Sequence, residues 1–177
     1  MIEELKEQGI IFDKGLSSVE ISTIEKKYDL IFPSEMKSLY RKALLISRGF
    51  YNWRDFSERN TQLIKQVLNR PTDSLLNNTS EIDWSESWGS EPANQMEREE
   101  VLREKIQSAP KLIPIYSHRY ITSFQDRENP VFSIVGSDII YYGENLISYL
   151  EIEFGCKSRS DMDITKIEPV SFWSDLL

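Results

Sequence analysis

Ala109-Pro110-Lys111-Leu112-Ile113-Pro114-Ile115-Tyr116-Ser117-His118-Arg119-Tyr120 is the stretch at which the chain changes pattern. Before Pro110 the apolar residues recur at helical spacing, and after it they come in short runs rich in β-branched and aromatic residues. Leu112 to Tyr116, Tyr120 to Phe124, Val131 to Val135 and Ile139 to Tyr142 read as four strands. Asp126, Asn129, Pro130, Gly136 and Gly143 punctuate them. Helices first and strands afterwards predict an α+β domain, with an antiparallel or mixed sheet flanked by helices.

Working outward toward the N-terminus, Ser17 and Glu20 have capping-box spacing, so a helix opens there and turns Ile21, Ile24 and Tyr28 to one side. Ile31-Phe32-Pro33-Ser34 breaks it, because the residue before a proline is pushed out of helical geometry. A second helix from Ser34 places Met36, Leu39, Tyr40, Ala43 and Leu44 on a broad apolar stripe, with Gly49 as its stop signal. A third is expected from Ser57 to Asn69, with Leu63, Ile64, Val67 and Leu68 inward and Pro71 closing it. Asn77 to Pro92 reads as loop or short strand. A fourth helix follows from Ala93 to Ser108, with Leu102, Ile106 and Ala109 as its apolar edge. Beyond the strands, Leu146, Ile147, Leu150 and Phe154 mark a fifth helix with Gly155 after it. The polar piece Ser158 to Asp163 then leads into Val170, Phe172 and Trp173.

The 177 residues suit one domain spanning 1–177, with no internal repeat and no linker. Asp and Glu number 29 against 21 Lys and Arg, a formal charge of -8. That balance argues against a nucleic-acid or anionic-membrane partner, which calls for a basic footprint, and favours steering toward a basic partner. Cys156 is alone, so no intrachain disulfide forms, and a free thiol fits a reducing compartment. The acidic start Met1-Ile2-Glu3-Glu4-Leu5-Lys6-Glu7 lacks the apolar run of a secretion signal. Uncharged stretches such as Pro130 to Gly136 are too short to cross a bilayer. A cytoplasmic protein is the expectation.

Two sets of residues carry a family likeness. The first is Gly15-Leu16-Ser17-Ser18-Val19-Glu20-Ile21, then Glu25-Lys26-Lys27-Tyr28 and the corner Ile31-Phe32-Pro33-Ser34, with a helix ending near Gly49. The second is Trp88-Gly89 with Pro92, then Ala109 to Tyr120, Asn129-Pro130-Val131-Phe132-Ser133, and Asp138-Ile139-Ile140-Tyr141-Tyr142-Gly143 to Tyr149-Leu150. Together they resemble the SUKH superfamily, which includes yeast SMI–KNR-type regulators and many bacterial immunity proteins. The second half is similar to a bacterial subgroup. The likeness touches the chain from Gly15 to Phe154, with 57–108 partly a helical and loop insertion. Where the family commonly has a Gly-Gly turn after the second helix, this chain has Arg48-Gly49-Phe50. The resemblance implies an α+β fold. For the bacterial members it also implies neutralisation of a cognate toxin, often a nuclease. A regulatory scaffold of the yeast type, without catalytic activity, is the alternative.

Catalytic signals are sparse. His118 is the single histidine, which excludes a His-based metal cluster and a second imidazole to share acid–base work. It reads either as a general base or as a strand-end residue hydrogen-bonded with Arg119. Cys156 has only Lys157 beside it, Asp161-Met162-Asp163 is too short a pattern for a metal site, and no phosphate loop is present. No enzyme activity, metal or cofactor is expected.

Glu81 to Lys105 carries the strongest signal. Eight acids there face Arg98, Arg103 and Lys105, a surplus of five negative charges. Its first part interleaves Glu81, Asp83, Glu86 and Glu91 with Trp84 and Trp88, large aromatics of the kind that anchor interfaces, ringed by carboxylates suited to a basic partner. Two readings stand open: these six residues bind a partner, or the tryptophans pack inward as a lid over the sheet. The acids of the fourth helix read equally as a solvated face. Tyr51-Asn52-Trp53 and Tyr141-Tyr142 divide in the same way between interface and packing.

Overall fold

The computed structural model describes all 177 residues. It forms an α+β fold with two antiparallel sheets. In chain order the elements are α1 (Ile2–Glu7), β1 (Phe12–Lys14), α2 (Ser18–Tyr28), α3 (Ser34–Lys42), β2 (Ala43–Leu45), α4 (Glu58–Asn77), α5 (Gln95–Ser108), β3 (Ile113–Tyr116), β4 (Arg119–Ile121), β5 (Val131–Val135), β6 (Asp138–Gly143) and α6 (Leu146–Glu153). Single 3₁₀ turns occupy parts of the loop after α4 and of the C-terminal segment. No helix is long and apolar enough to cross a membrane.

The N-terminal unit follows its capping signals. The Ser17 hydroxyl accepts from the Glu20 N–H at 3.2 Å, and the Glu20 carboxylate accepts from the Ser17 N–H at 2.8 Å. This reciprocal cap is worth about 1 kcal/mol. At the corner Phe32 is fully buried while Ile31 is 55% exposed, so the turn before Pro33 sends one of two adjacent apolar side chains inward. Phe32 packs edge-on against Trp53, 5.1 Å between ring centres. The Trp53 indole N–H donates to the Tyr40 hydroxyl at 3.2 Å. Trp53 is thus a core residue, in keeping with the packing reading of Tyr51-Asn52-Trp53.

Several boundaries depart from the expected ones. The second helix stops at Lys42. Ala43 and Leu44 leave the helical stripe for β2, which pairs antiparallel with β1 in the register Phe12↔Leu45. Ala43, Leu44 and Leu45 are all buried, which a strand covered on both faces permits and a one-sided helix does not. Gly49 therefore ends no helix. It lies at φ 103°, where a Cβ would stand 2.3 Å from the Tyr116 ring, so only glycine fits. The third helix runs on through Pro71 to Asn77. Proline at 71 cannot donate to the carbonyl of residue 67, a loss of about 3 kcal/mol in a helix interior. The Tyr120 hydroxyl donates to the Val67 carbonyl instead, at 3.2 Å. Leu63 and Ile147, both expected to face inward, are 45% and 50% exposed, each lying one step around its helix from the buried row. The fourth helix starts at Gln95, two residues later than expected, with the Asn94 carboxamide accepting from the Met96 N–H as its cap.

The larger sheet is an up-and-down meander in the order β3-β4-β5-β6. Tyr120, Phe132, Ile134, Ile139 and Tyr141 occupy its α4 side, as the register pairs Tyr120↔Phe132 and Phe132↔Tyr141 require. The C-terminal segment closes that side: the Tyr141 and Ser174 hydroxyls are 2.5 Å apart, and Phe172 and Trp173 are buried. The opposite side takes α6. There the Arg119 guanidinium lies 3.8 Å from the Tyr142 ring centre, donates to the Ser133 hydroxyl at 2.9 Å, and pairs with Glu153 of α6 at 2.9 Å. β4 is shorter than expected because Asn129, fully buried, draws the following chain into a loop. Its carboxamide oxygen accepts from the Thr122 hydroxyl and the Phe124 N–H, both at 2.8 Å.

Candidate functional site

The segment from Thr79 to Glu91 leaves the end of α4 and folds back over α5 before entering it. Asn78 caps the end of α4, its carboxamide donating to the Ser74 carbonyl at 2.8 Å. Ile82 then buries itself and fixes the side chains either side of it outward, so Glu81 and Asp83 are both exposed. Glu86, at the start of a 3₁₀ turn, and Glu91 are exposed as well. The structure thus brings four of the six expected partner-binding residues to the surface as carboxylates on one short segment.

The two tryptophans are the underside of that segment. Trp84 and Trp88 meet edge to face with 5.5 Å between ring centres. Trp88 stacks nearly parallel on Phe172 at 5.8 Å, and its N–H donates to the Asp175 carboxylate at 2.9 Å. The Trp84 N–H donates to the Gly89 carbonyl at 2.7 Å. Both rings are half-buried, and both polar edges are committed within the molecule. They hold the acidic segment against the C-terminal segment.

Arg98 is the residue that sequence reasoning missed. It reaches from the first turn of α5 and donates to the Thr79 carbonyl at 3.0 Å, the Ile82 carbonyl at 2.5 Å and the Glu91 carboxylate at 2.5 Å. One guanidinium satisfies two loop carbonyls and one acid, a geometry a lysine could not reproduce. Nothing in the local spacing marks Arg98 out from Arg103, which is exposed. Lys105 also turns inward, its ammonium 5.4 Å from the Trp88 ring centre. Two of the three cations in the stretch thus act below the surface, while Glu81, Asp83, Glu86, Glu97, Glu100 and Glu104 remain exposed. We call this the acidic shelf.

The other singled-out residues lie elsewhere. His118 forms part of the two-residue turn between β3 and β4, and its Nδ1 is 3.2 Å from the Ser117 hydroxyl. The expected bond to Arg119 does not form, because Arg119 points to the α6 side and pairs with Glu153. Burial and the nearby Arg119 charge push the His118 pKa down, which favours the neutral imidazole. It borders a hollow of about 230 Å³ shared with Arg70, Ser74 and Ser117. Cys156 is exposed, and the ammonium of Lys157 turns to Glu144 at 3.4 Å and the Ser148 hydroxyl at 3.2 Å. Asp163 accepts from the Thr165 N–H and hydroxyl. No three His, Cys, Asp or Glu side chains converge in a metal-holding arrangement.

Comparison of the chain with protein-family models, with curated proteins and with solved structures finds no match in any of the three.

Proposed function

We propose that this chain is a protein-binding, non-enzymatic immunity protein of the SUKH type, which neutralises a cognate bacterial toxin by docking its acidic shelf on a basic surface of that toxin. The observation that carries the reading is the pairing of charge with rigidity. Glu81, Asp83 and Glu86 are exposed on a segment fixed from beneath by Trp84, Trp88 and Arg98. A carboxylate row already held in place loses little conformational freedom on binding, so more of its attraction survives as affinity. Such a row can also take the position of a phosphate backbone in the substrate groove of a nuclease and exclude the substrate. The sequence resemblance along Gly15 to Phe154 supports the same reading.

The test is genetic and direct. Expression of a toxin-like protein encoded next to this gene should arrest growth, and co-expression of this chain should restore it. The variant carrying Glu81→Lys, Asp83→Lys and Glu86→Lys together, which leaves the Glu91 partner of Arg98 in place, should fail to rescue while remaining folded. Full rescue by the folded variant would rule out the shelf as the neutralising surface.

A further inference from the structure

At the C-terminal end of α5, a half-enclosed groove of about 520 Å³ lies between the end of α2, the middle of α4 and the turn from α5 into β3. Leu68 and Leu76, both partly buried, contribute to its apolar lining. Trp173, only 1% exposed, lies beneath the groove floor, its N–H donating to the Pro110 carbonyl at 2.7 Å. Three lysines, Lys27, Lys65 and Lys111, line it against a single acid, Asp29. Lys111 is paired with the Asp29 carboxylate. Lys27 holds its ammonium 5.1 Å from the Phe56 ring centre, a contact that leaves its charge unneutralised, and Lys65 is exposed. On a chain of net charge -8 this is a local reversal of sign beside an apolar surface.

We propose that the groove binds one small anionic amphiphile, a medium-chain carboxylate, with its hydrocarbon against Leu68 and Leu76 and its head between Lys27 and Lys65. Charge complementarity selects the anion, and the apolar lining selects the chain. Size separates this occupant from a protein. Small-molecule sites run from about 300 to 1,000 Å³, whereas a stable protein interface covers about 800 Å² on each partner, more than a concavity of this volume presents. The proposal does not rest on the function proposed for the shelf.

Isothermal titration of the full chain with decanoate, below its micelle concentration, tests the assignment. We expect saturable binding of one decanoate per chain. Charge reversal at the two exposed lysines, Lys27→Glu with Lys65→Glu, should weaken it about tenfold. Asn69→Trp, which plants an indole at the groove mouth from an exposed helical position, should abolish it. Circular dichroism checks that both variants fold, and the shelf variant reversed at Glu81, Asp83 and Glu86 should bind decanoate as the native chain does. The absence of saturable heat overturns the proposal. So does equal binding of decyltrimethylammonium, or decanoate binding indifferent to both groove variants.

Discussion

Single residues hold the junctions of this molecule. Arg54 donates to Glu20 at 2.7 Å, to Asp13 at 2.5 Å and to the Lys14 and Gly15 carbonyls, tying β1 to the first turn of α2. The Arg54 hydrogen bond, with those from Ser17, lowers the Glu20 pKa from 4.5 to about 2. A carboxyl depressed by folding adds stability that is complete above the unfolded pKa and is lost as pH falls through the folded one. The window here is pH 4.5 down to about 2. Glu20→Gln should therefore lower the Tm at pH 7, and its deficit against the native chain should shrink across that window; a deficit unchanged at pH 2 would contradict the linkage. Gly49 is a second junction, since its backbone carbonyl accepts from the Ser117 N–H at 2.8 Å while its α-carbon lies under the Tyr116 ring. Gly49→Ala imposes both an unfavourable φ and a clash, and urea denaturation should show a loss of about 2 kcal/mol or more.

At the scale of elements, the sequence is most legible where local chemistry decides the outcome and least where a distant partner does. The Ser17 cap, the Phe32-Pro33 corner, the strand runs and the start of α5 near Asn94 follow from neighbouring residues alone. The fate of Ala43 to Leu45 depends on Phe12 to Lys14, some thirty positions away, so helical spacing alone extends the expected helix past Lys42 toward Gly49. Pro71 was misjudged for the same reason. The hydroxyl that makes it tolerable comes from Tyr120, 53 residues beyond the Val67 carbonyl it serves, and burial raises that phenol's pKa to about 12, keeping it a donor. Tyr120→Phe should cost about 1 to 2 kcal/mol by leaving the Val67 carbonyl without this partner. Native-state hydrogen exchange should place the loss in α4 around residues 67–75. Unchanged stability would mean that the proline is accommodated in another way.

Over the whole molecule, the acidic stretch was legible as charge but not as architecture. Eight acids between Glu81 and Lys105 are plain in the sequence. Their rigid presentation depends on Phe172 and Asp175 near the C-terminus and on one arginine among three cations, none of which local spacing singles out. Two surfaces of opposite character result: a shelf of carboxylates above the tryptophan pair, and a lysine-edged groove at the C-terminal end of α5. If the shelf is prefixed by Arg98, then Arg98→Ala should loosen residues 79–91 without unfolding the sheet, seen as faster amide exchange confined to that segment. The measurement that bears most directly on the account is the association rate of this chain with its candidate toxin as a function of salt. Steering by the shelf predicts a rate that falls steeply as ionic strength rises, and a lower rate with a shallower salt dependence for the variant reversed at Glu81, Asp83 and Glu86. Identical rates and salt slopes for the two proteins would contradict it.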